Sequence, residues 1–255
     1  MIGVGILASS PMHQFNVEPI FGDAIGALTF SNASAAMVLA VAASIGFLLY
    51  TTAKLTLVPN RAQSAGEALF GFVEGMVRSA SGSHGVKLFF PLVFTLFLFI
   101  FSANILGMFP YHFTPTAQAV VPAAMAIIVF TTVIVVGFAK NGLGFFKLFA
   151  PSGVPIYLMP LIIFIEIISF FSRPLSHTIR LWANIFAGHL LLKVLAGFVP
   201  MMLASGNFAI GLGALLPLAL TVAIVALEFL VAFLQAYVFA LLTSMYLNDA
   251  LHPGH

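Results

Sequence analysis

Three ionisable side chains stand inside long apolar stretches of this chain: Arg180, His189 and Glu228. An arginine keeps its charge in any protein environment, and placing one at the centre of a membrane helix costs about 2.5–3.5 kcal/mol on insertion scales. Histidine exchanges protons near neutral pH, and a carboxyl group in apolar surroundings can do the same. Together the three residue types argue against a purely structural role, and we expect the arginine to face either a partner carboxylate or a water-filled cavity.

The spacing within residues 155–199 predicts which side chains share a helix face. Residues seven apart drift by only about 20° around a helix, and residues four apart are neighbours. The face so defined carries Glu166, Arg173, Ser176, Arg180 and Asn184. His189 follows Arg180 by about two and a half turns, so it lies on the opposite face, about 13.5 Å further along the axis.

The last apolar segment carries Glu228 and Gln235, which are seven apart and share a face. A glutamate and a histidine on adjacent helices would form a proton relay. Two simpler interpretations stay open: His189 as a hydrogen-bonded packing residue, and Glu228 as the partner of a lysine or arginine. The sequence contains no phosphate-binding glycine loop, metal-spaced histidine cluster or nucleophile–base pair. We therefore expect no metal, no cofactor and no ATP chemistry on this chain.

Composition predicts an all-α integral membrane protein. Only 6% of the residues are charged and 62% are apolar, whereas ordinary soluble domains are about 25% charged. The apolar runs have the length of membrane helices, not of the short alternating strands of a barrel. A net charge of +2 from nine basic residues does not suggest nucleic acid as a partner. The absence of cysteine excludes disulfides and cysteine-ligated metals.

The apolar pattern divides a single membrane domain, residues 1–255, into seven parts. They are an outer N-terminal segment 1–32, spans 33–57, 87–108 and 119–138, a surface helix 60–80, and long helices 155–199 and 207–247. In the surface helix, Glu67, Glu74 and Arg78 fall within about 40° of one another, opposite an apolar face. A membrane-adjacent loop is the other interpretation of this segment.

The last two apolar segments are too long to cross a membrane upright. They would measure about 67 and about 61 Å as helices, against a hydrocarbon core of about 30 Å. Either a break at residues 172–177 leaves Arg173 and His177 in a loop, or both segments are strongly tilted helices. Pro174 permits a kink without ending a helix, so hydropathy alone favours neither alternative.

Basic residues predict the orientation of the chain. Lys54, Arg61, Arg78 and Lys87 flank the first connection, and Lys140 and Lys147 follow the third span. By the positive-inside rule these segments are inside and the N-terminus is outside. A bacterial plasma membrane is our first choice of location, and a mitochondrial inner membrane is also compatible.

At these residues the sequence resembles subunit a of the membrane sector of F-type ATP synthases, over nearly the whole chain. Residues 180–189, Arg-Leu-Trp-Ala-Asn-Ile-Phe-Ala-Gly-His, resemble the family's signature around its essential arginine, and Glu228 and Gln235 resemble its polar pair in the last helix. Further similarities occur at residues 58–63, at 104–107 with Pro110, and at 10–15. The combination of His189 and Glu228 is similar to the mitochondrial and alphaproteobacterial branch.

The resemblance implies five membrane-embedded helices plus one surface helix, the last two long, tilted and packed along a rotating ring of subunit c, with the C-terminus inside. It implies no catalysis by this chain alone. Protons would enter past Glu228 and His189 to a ring carboxylate and leave by a path that includes Glu166. Arg180 would separate the two half-channels, with Gln235 and Asn184 holding it, and Arg173 and Ser176 as weaker candidates. Implied partners are the c-ring, peripheral-stalk subunit b or its equivalent, other ATP synthase subunits, the bilayer and protons.

Two other functions fit the residues alone. A proton-coupled secondary transporter would use a midplane Arg–Glu site, but the sequence shows no inverted repeat. A membrane scaffold without an ion path would tolerate neutralisation of Arg180.

Overall fold

The structure, a computed structural model, describes residues 16–19, 30–54, 56–109, 112–150, 155 and 157–251. The similarities noted at residues 10–15 and at Pro110 lie outside these residues. Within them the chain is helical apart from connections and one isolated bridge between Pro19 and Ser31. This confirms the predicted all-α class.

Six α-helices follow one another in the described part of the chain. They are α1 (Asn32–Thr52), α2 (Arg61–Gly107), α3 (Val120–Asn141), α4 (Met159–Leu203), α5 (Phe208–Gly213) and α6 (Leu215–Leu251). Two 3-10 turns connect them, at Pro115–Ala117 and Gly142–Leu148. Among the described residues, five stretches are long and apolar enough to cross a membrane: Asn32–Thr52, Gly85–Gly107, Val120–Leu148, Met159–Leu203 and Phe208–Leu251.

Helix α2 contains the predicted surface helix and the second span, which join at a kink. Asn60 caps its start by accepting a hydrogen bond from the Gln63 backbone amide at 2.8 Å. Gly82 interrupts the helical geometry with φ of +68°, a conformation that a side chain would oppose. The chain therefore changes direction inside the segment 81–85, and the charged pair Glu74–Arg78 belongs to the first section.

Helix α4 runs unbroken from Met159 to Leu203, so Arg173 and His177 are helical residues and not part of a loop. Pro174 lies inside it without ending it. The segment 207–247 differs from the expectation of one helix, because α5 ends at Gly213 and α6 begins at Leu215. Asn207 starts α5 by accepting a hydrogen bond from the Ala209 amide at 3.0 Å.

Helix α6 packs against α2, α3 and α4 and organises the core. Its buried face places a small residue at every fourth position, namely Ala232, Ala236, Ala240 and Ser244. Small side chains allow apolar helices to approach closely. Two hydrogen bonds mark this contact: Ser81 Oγ donates to the Ser244 carbonyl at 2.9 Å, and Asn104 Nδ2 donates to the Ala232 carbonyl at 3.4 Å. Helix α4 packs against this core through a narrow stripe of buried residues, Phe170, His177, Leu181 and Ile185.

Candidate functional site

One face of α4 is open and carries three of the predicted site residues. Ser176, Arg180 and Asn184 follow one another at intervals of four, and all three are exposed. The buried stripe begins one residue later, at His177, Leu181 and Ile185. Since residues four apart stack on the same side of a helix, the sequence itself separates the open face from the packed one.

Arg180 keeps an unneutralised charge. No hydrogen bond or ion pair to its guanidinium occurs in the part of the chain that the structure describes. Arg180 and Gln235 border the same small cavity between α4 and α6, which His177 and Phe239 also line. The structure thus brings Gln235 next to Arg180, while Asn184 lies one turn along the open face.

Arg173 reaches across to α6. Its Nη1 lies 3.0 Å from Oδ2 of Asp249, and its guanidinium carbon lies 4.8 Å from the ring centre of Tyr246. The ion pair is partly exposed, because the Asp249 side chain is 41% accessible. Arg173, Tyr246 and Asp249 therefore form one cluster, the Arg173 cluster. The spacing had predicted that Arg173 shares the face of Arg180.

Glu166 lies about 21 Å before Arg180 along the helix, at the rise of about 1.5 Å per residue. It is half-buried, and no hydrogen bond or ion pair of its side chain appears within the described ranges. It remains apart from the other candidates, close to the N-terminal end of α4.

His189 lies away from the open face and contacts the connection between α2 and α3. Its Nε2 is 3.2 Å from Oγ1 of Thr114. Thr114 is buried, and its hydroxyl donates its proton to the Gly107 carbonyl at 3.1 Å. A histidine held by a single hydroxyl on one nitrogen can still exchange a proton on the other.

Glu228 lies against the backbone of α4 at Gly188, the residue before His189. A methyl group built on Gly188 would meet the Glu228 carboxyl group. The Oε2 atom of Glu228 is buried and has no hydrogen-bond partner among the described residues. The structure therefore brings Glu228 and His189 to the same level of the α4–α6 contact without a direct hydrogen bond between them.

Sequence reasoning missed four residues around the site. Thr114 and Thr116 lie in the loop before α3, and Thr116 Oγ1 donates to Asn104 Oδ1 at 2.7 Å. Asn104 entered the sequence interpretation only as part of a similarity, and Asp249 not at all. The signal for Thr114 and Thr116 was a Thr-Pro-Thr run at the mouth of two apolar spans. For Asp249 it was an acid near the end of the last helix.

His177 lies between the open face and the Arg173 cluster. It is 3% exposed, and its ring lies 4.5 Å from that of Phe239 and 5.3 Å from that of Tyr246. Its Nε2 has no partner in the described structure. Across the same residues, no group of three His, Cys, Asp or Glu side chains is placed to hold a metal ion.

Comparison with known proteins gives concordant matches. The chain matches the family described as ATP synthase A chain over residues 34–248. It is 56% identical over 250 residues to ATP synthase subunit a of Allorhizobium ampelinum, and the alignment covers 97% of this chain and 99% of the relative. It is 56% identical over 251 residues to that of Agrobacterium fabrum, covering 98% and 100%. For Rhodopseudomonas palustris the identity is 53% over 248 residues, covering 96% and 99%.

Proposed function

Because the chain belongs to the ATP synthase A chain family, we propose that it is the stationary subunit against which a ring of subunit c turns, coupling proton flow to that rotation. The protein is an integral membrane component of the proton-translocating sector and does not catalyse ATP chemistry itself. The three relatives named above are bacterial, which supports a plasma-membrane location. The fixed charges support an outer N-terminus and an inner C-terminus.

The observation that carries the proposal is the separation of Arg180 from His189 and Glu228. Arg180 is exposed and without an ion-pair partner in the described residues. His189 lies on the opposite side of α4, about 13.5 Å further along its axis, and Glu228 of α6 meets α4 at Gly188, about 12 Å beyond Arg180 along the axis. Helix α4 thus offers a permanent cation to a partner on its open face, and further along the axis His189 of α4 and Glu228 of α6 provide two proton-exchanging groups.

In the proposed cycle, protons enter from the outer side through the region of His189 and Glu228 and neutralise a carboxylate on the ring. The neutral carboxyl group can then face lipid, because only the charged form is costly in hydrocarbon. After nearly a full turn it releases its proton toward the inner side, through a path that includes Glu166. Two separate half-channels force each transported proton to travel with the ring.

Arg180 performs two tasks in this cycle. Its charge stabilises the ionised ring carboxylate that passes the open face, since an opposite charge nearby favours the charged form. The same charge repels protons and so prevents them from crossing directly between the half-channels. Gln235, which borders the same cavity, and Asn184 would orient the guanidinium, and Ser176 extends the polar part of the open face.

The test is ATP-driven proton pumping in membrane vesicles that carry Arg180→Ala, measured together with passive proton leak. We expect pumping to fall at least about a hundredfold, the scale of losing one preorganised electrostatic group, and leak to rise. Arg78→Ala is the matched control, because Arg78 is an exposed arginine paired with Glu74 on α2. Normal pumping in assembled Arg180→Ala enzyme would refute the mechanism and favour the scaffold alternative.

A further inference from the structure

A short row of hydrogen bonds joins three groups: the Gly107 carbonyl, the Thr114 hydroxyl and the His189 imidazole. Thr114 Oγ1 lies 3.1 Å from the Gly107 carbonyl oxygen and 3.2 Å from His189 Nε2. The contact with Gly107 is buried, and Thr114 is 7% exposed. Such a row connects the end of α2, the loop before α3 and the middle of α4.

The carbonyl oxygen can only accept a hydrogen bond, whereas the hydroxyl has one proton to donate. Gly107 is the last residue of α2, and the last carbonyl groups of a helix have no partner within it. Directing the Thr114 proton to Gly107 satisfies this buried carbonyl. The hydroxyl oxygen then offers only lone pairs to His189, so Nε2 must carry the hydrogen of that contact.

We propose that Thr114 is a positioning residue that fixes neutral His189 with its hydrogen on Nε2, so that His189 binds and releases the transported proton on Nδ1. This inference rests on the proposed function and specifies its entry site. When a proton arrives, the bond from hydrogen to Nδ1 forms, and the bond at Nε2 stays intact. On release the Nδ1 bond breaks again. Transfer through Nε2 is closed, because the Thr114 proton faces a carbonyl that cannot pass it on.

Gly107 provides independent support from packing. A Cβ atom at this position would overlap the side chain of Thr114. Only glycine therefore leaves room for the Thr114 hydroxyl between the end of α2 and the ring of His189. The polar pair Thr116–Asn104, at 2.7 Å, anchors the same loop to α2, so the position of Thr114 does not depend on His189 alone.

The first experiment compares proton pumping by the assembled enzyme carrying Thr114→Val, Thr114→Ser or Thr132→Val. Valine keeps the shape of threonine but loses the hydroxyl, and we expect pumping to fall about three- to tenfold, the range of one lost hydrogen bond. Serine should restore most of the rate. Thr132→Val is the matched control, since Thr132 is partly exposed and its hydroxyl donates to the Ile128 carbonyl of its own helix. Equal rates for valine and threonine at position 114 would overturn the proposal.

The second experiment reads the ring directly, by solid-state nuclear magnetic resonance on the whole enzyme with nitrogen-labelled histidine. The signal of His189 is identified by its loss in His189→Gln. We expect hydrogen on Nε2 in the neutral wild-type ring, and a mixture of both forms in Thr114→Val. Hydrogen on Nδ1 in the wild type would overturn the proposal, whether or not the valine variant assembles.

The outcomes separate this inference from the function on which it rests. Loss of pumping in Arg180→Ala with normal pumping in Thr114→Val would leave the half-channel mechanism standing and remove the role of Thr114. Normal pumping in Arg180→Ala would remove the mechanism, while the resonance experiment would still decide which nitrogen of His189 carries hydrogen.

Discussion

The polar groups at the two ends of the α4–α6 contact differ in whether they have a charged partner. At the end that the proposed orientation places inside, Arg173 and Asp249 form an ion pair at 3.0 Å, the inner pair, and the Tyr246 ring covers the guanidinium. Further out, Glu228 has a buried oxygen without a partner in the described residues, and His189 has one hydroxyl contact. An ion pair stabilises the charged form of both partners, so neither changes its protonation readily. A carboxyl group without a charged partner lacks this stabilisation and can take up or release a proton more easily. We therefore expect a structural role for the inner pair and proton exchange at Glu228 and His189.

Removing the outer carboxyl group should have the largest effect. Glu228→Gln keeps the shape and removes the exchangeable proton, and we expect pumping to fall about a hundredfold, within the usual range for a lost acid–base group. Pumping is measured in vesicles with equal amounts of assembled enzyme. Glu74→Gln, which alters a surface carboxylate paired with Arg78, should change the rate little. Comparable rates for both variants would refute the role of Glu228.

Displacing the same carboxyl group without changing it should have a smaller effect. Gly188→Ala adds a methyl group where the Glu228 carboxyl group lies, and we expect about a tenfold loss of pumping, since small misplacements of a reacting group are costly. Gly197→Ala is the control on the same helix, because nothing lies within 4 Å of its added methyl group. The interpretation fails if alanine at 188 and alanine at 197 behave alike.

Breaking the inner pair should have the smallest effect. Asp249→Asn removes a partly exposed ion pair, and such pairs contribute about 0.2–1 kcal/mol. We expect pumping within about twofold of wild type and slightly lower thermal stability of the purified enzyme. Combining Asp249→Asn with Arg173→Ala should add little to the larger single effect, because both changes remove the same contact. A loss of pumping as large as that of Glu228→Gln would end the distinction between the two regions.

The helical class and the open face of α4 followed from the sequence, because both depend on periodicity within single segments. Ser176, Arg180 and Asn184 share a side through their spacing alone, and the structure exposes all three. The contact of His189 with Thr114 joins residues 75 positions apart, which no local pattern reveals. Arg173 also departs from its spacing, because a long side chain can reach a carboxylate on the neighbouring helix. The break between α5 and α6 was missed, although Gly213 stands at the end of α5 and Pro217 follows near the start of α6.

The open face of α4 has a consequence for how the protein is made. In the proposed function Arg180 faces lipid until the ring covers it, and a midplane arginine in lipid is unfavourable by about 2.5–3.5 kcal/mol on insertion scales. On that proposal a newly inserted chain is least stable before it meets the ring, and binding of the ring stabilises it by mass action. The residue proposed to prevent proton leakage in the finished motor would also mark an unassembled subunit for removal during biogenesis.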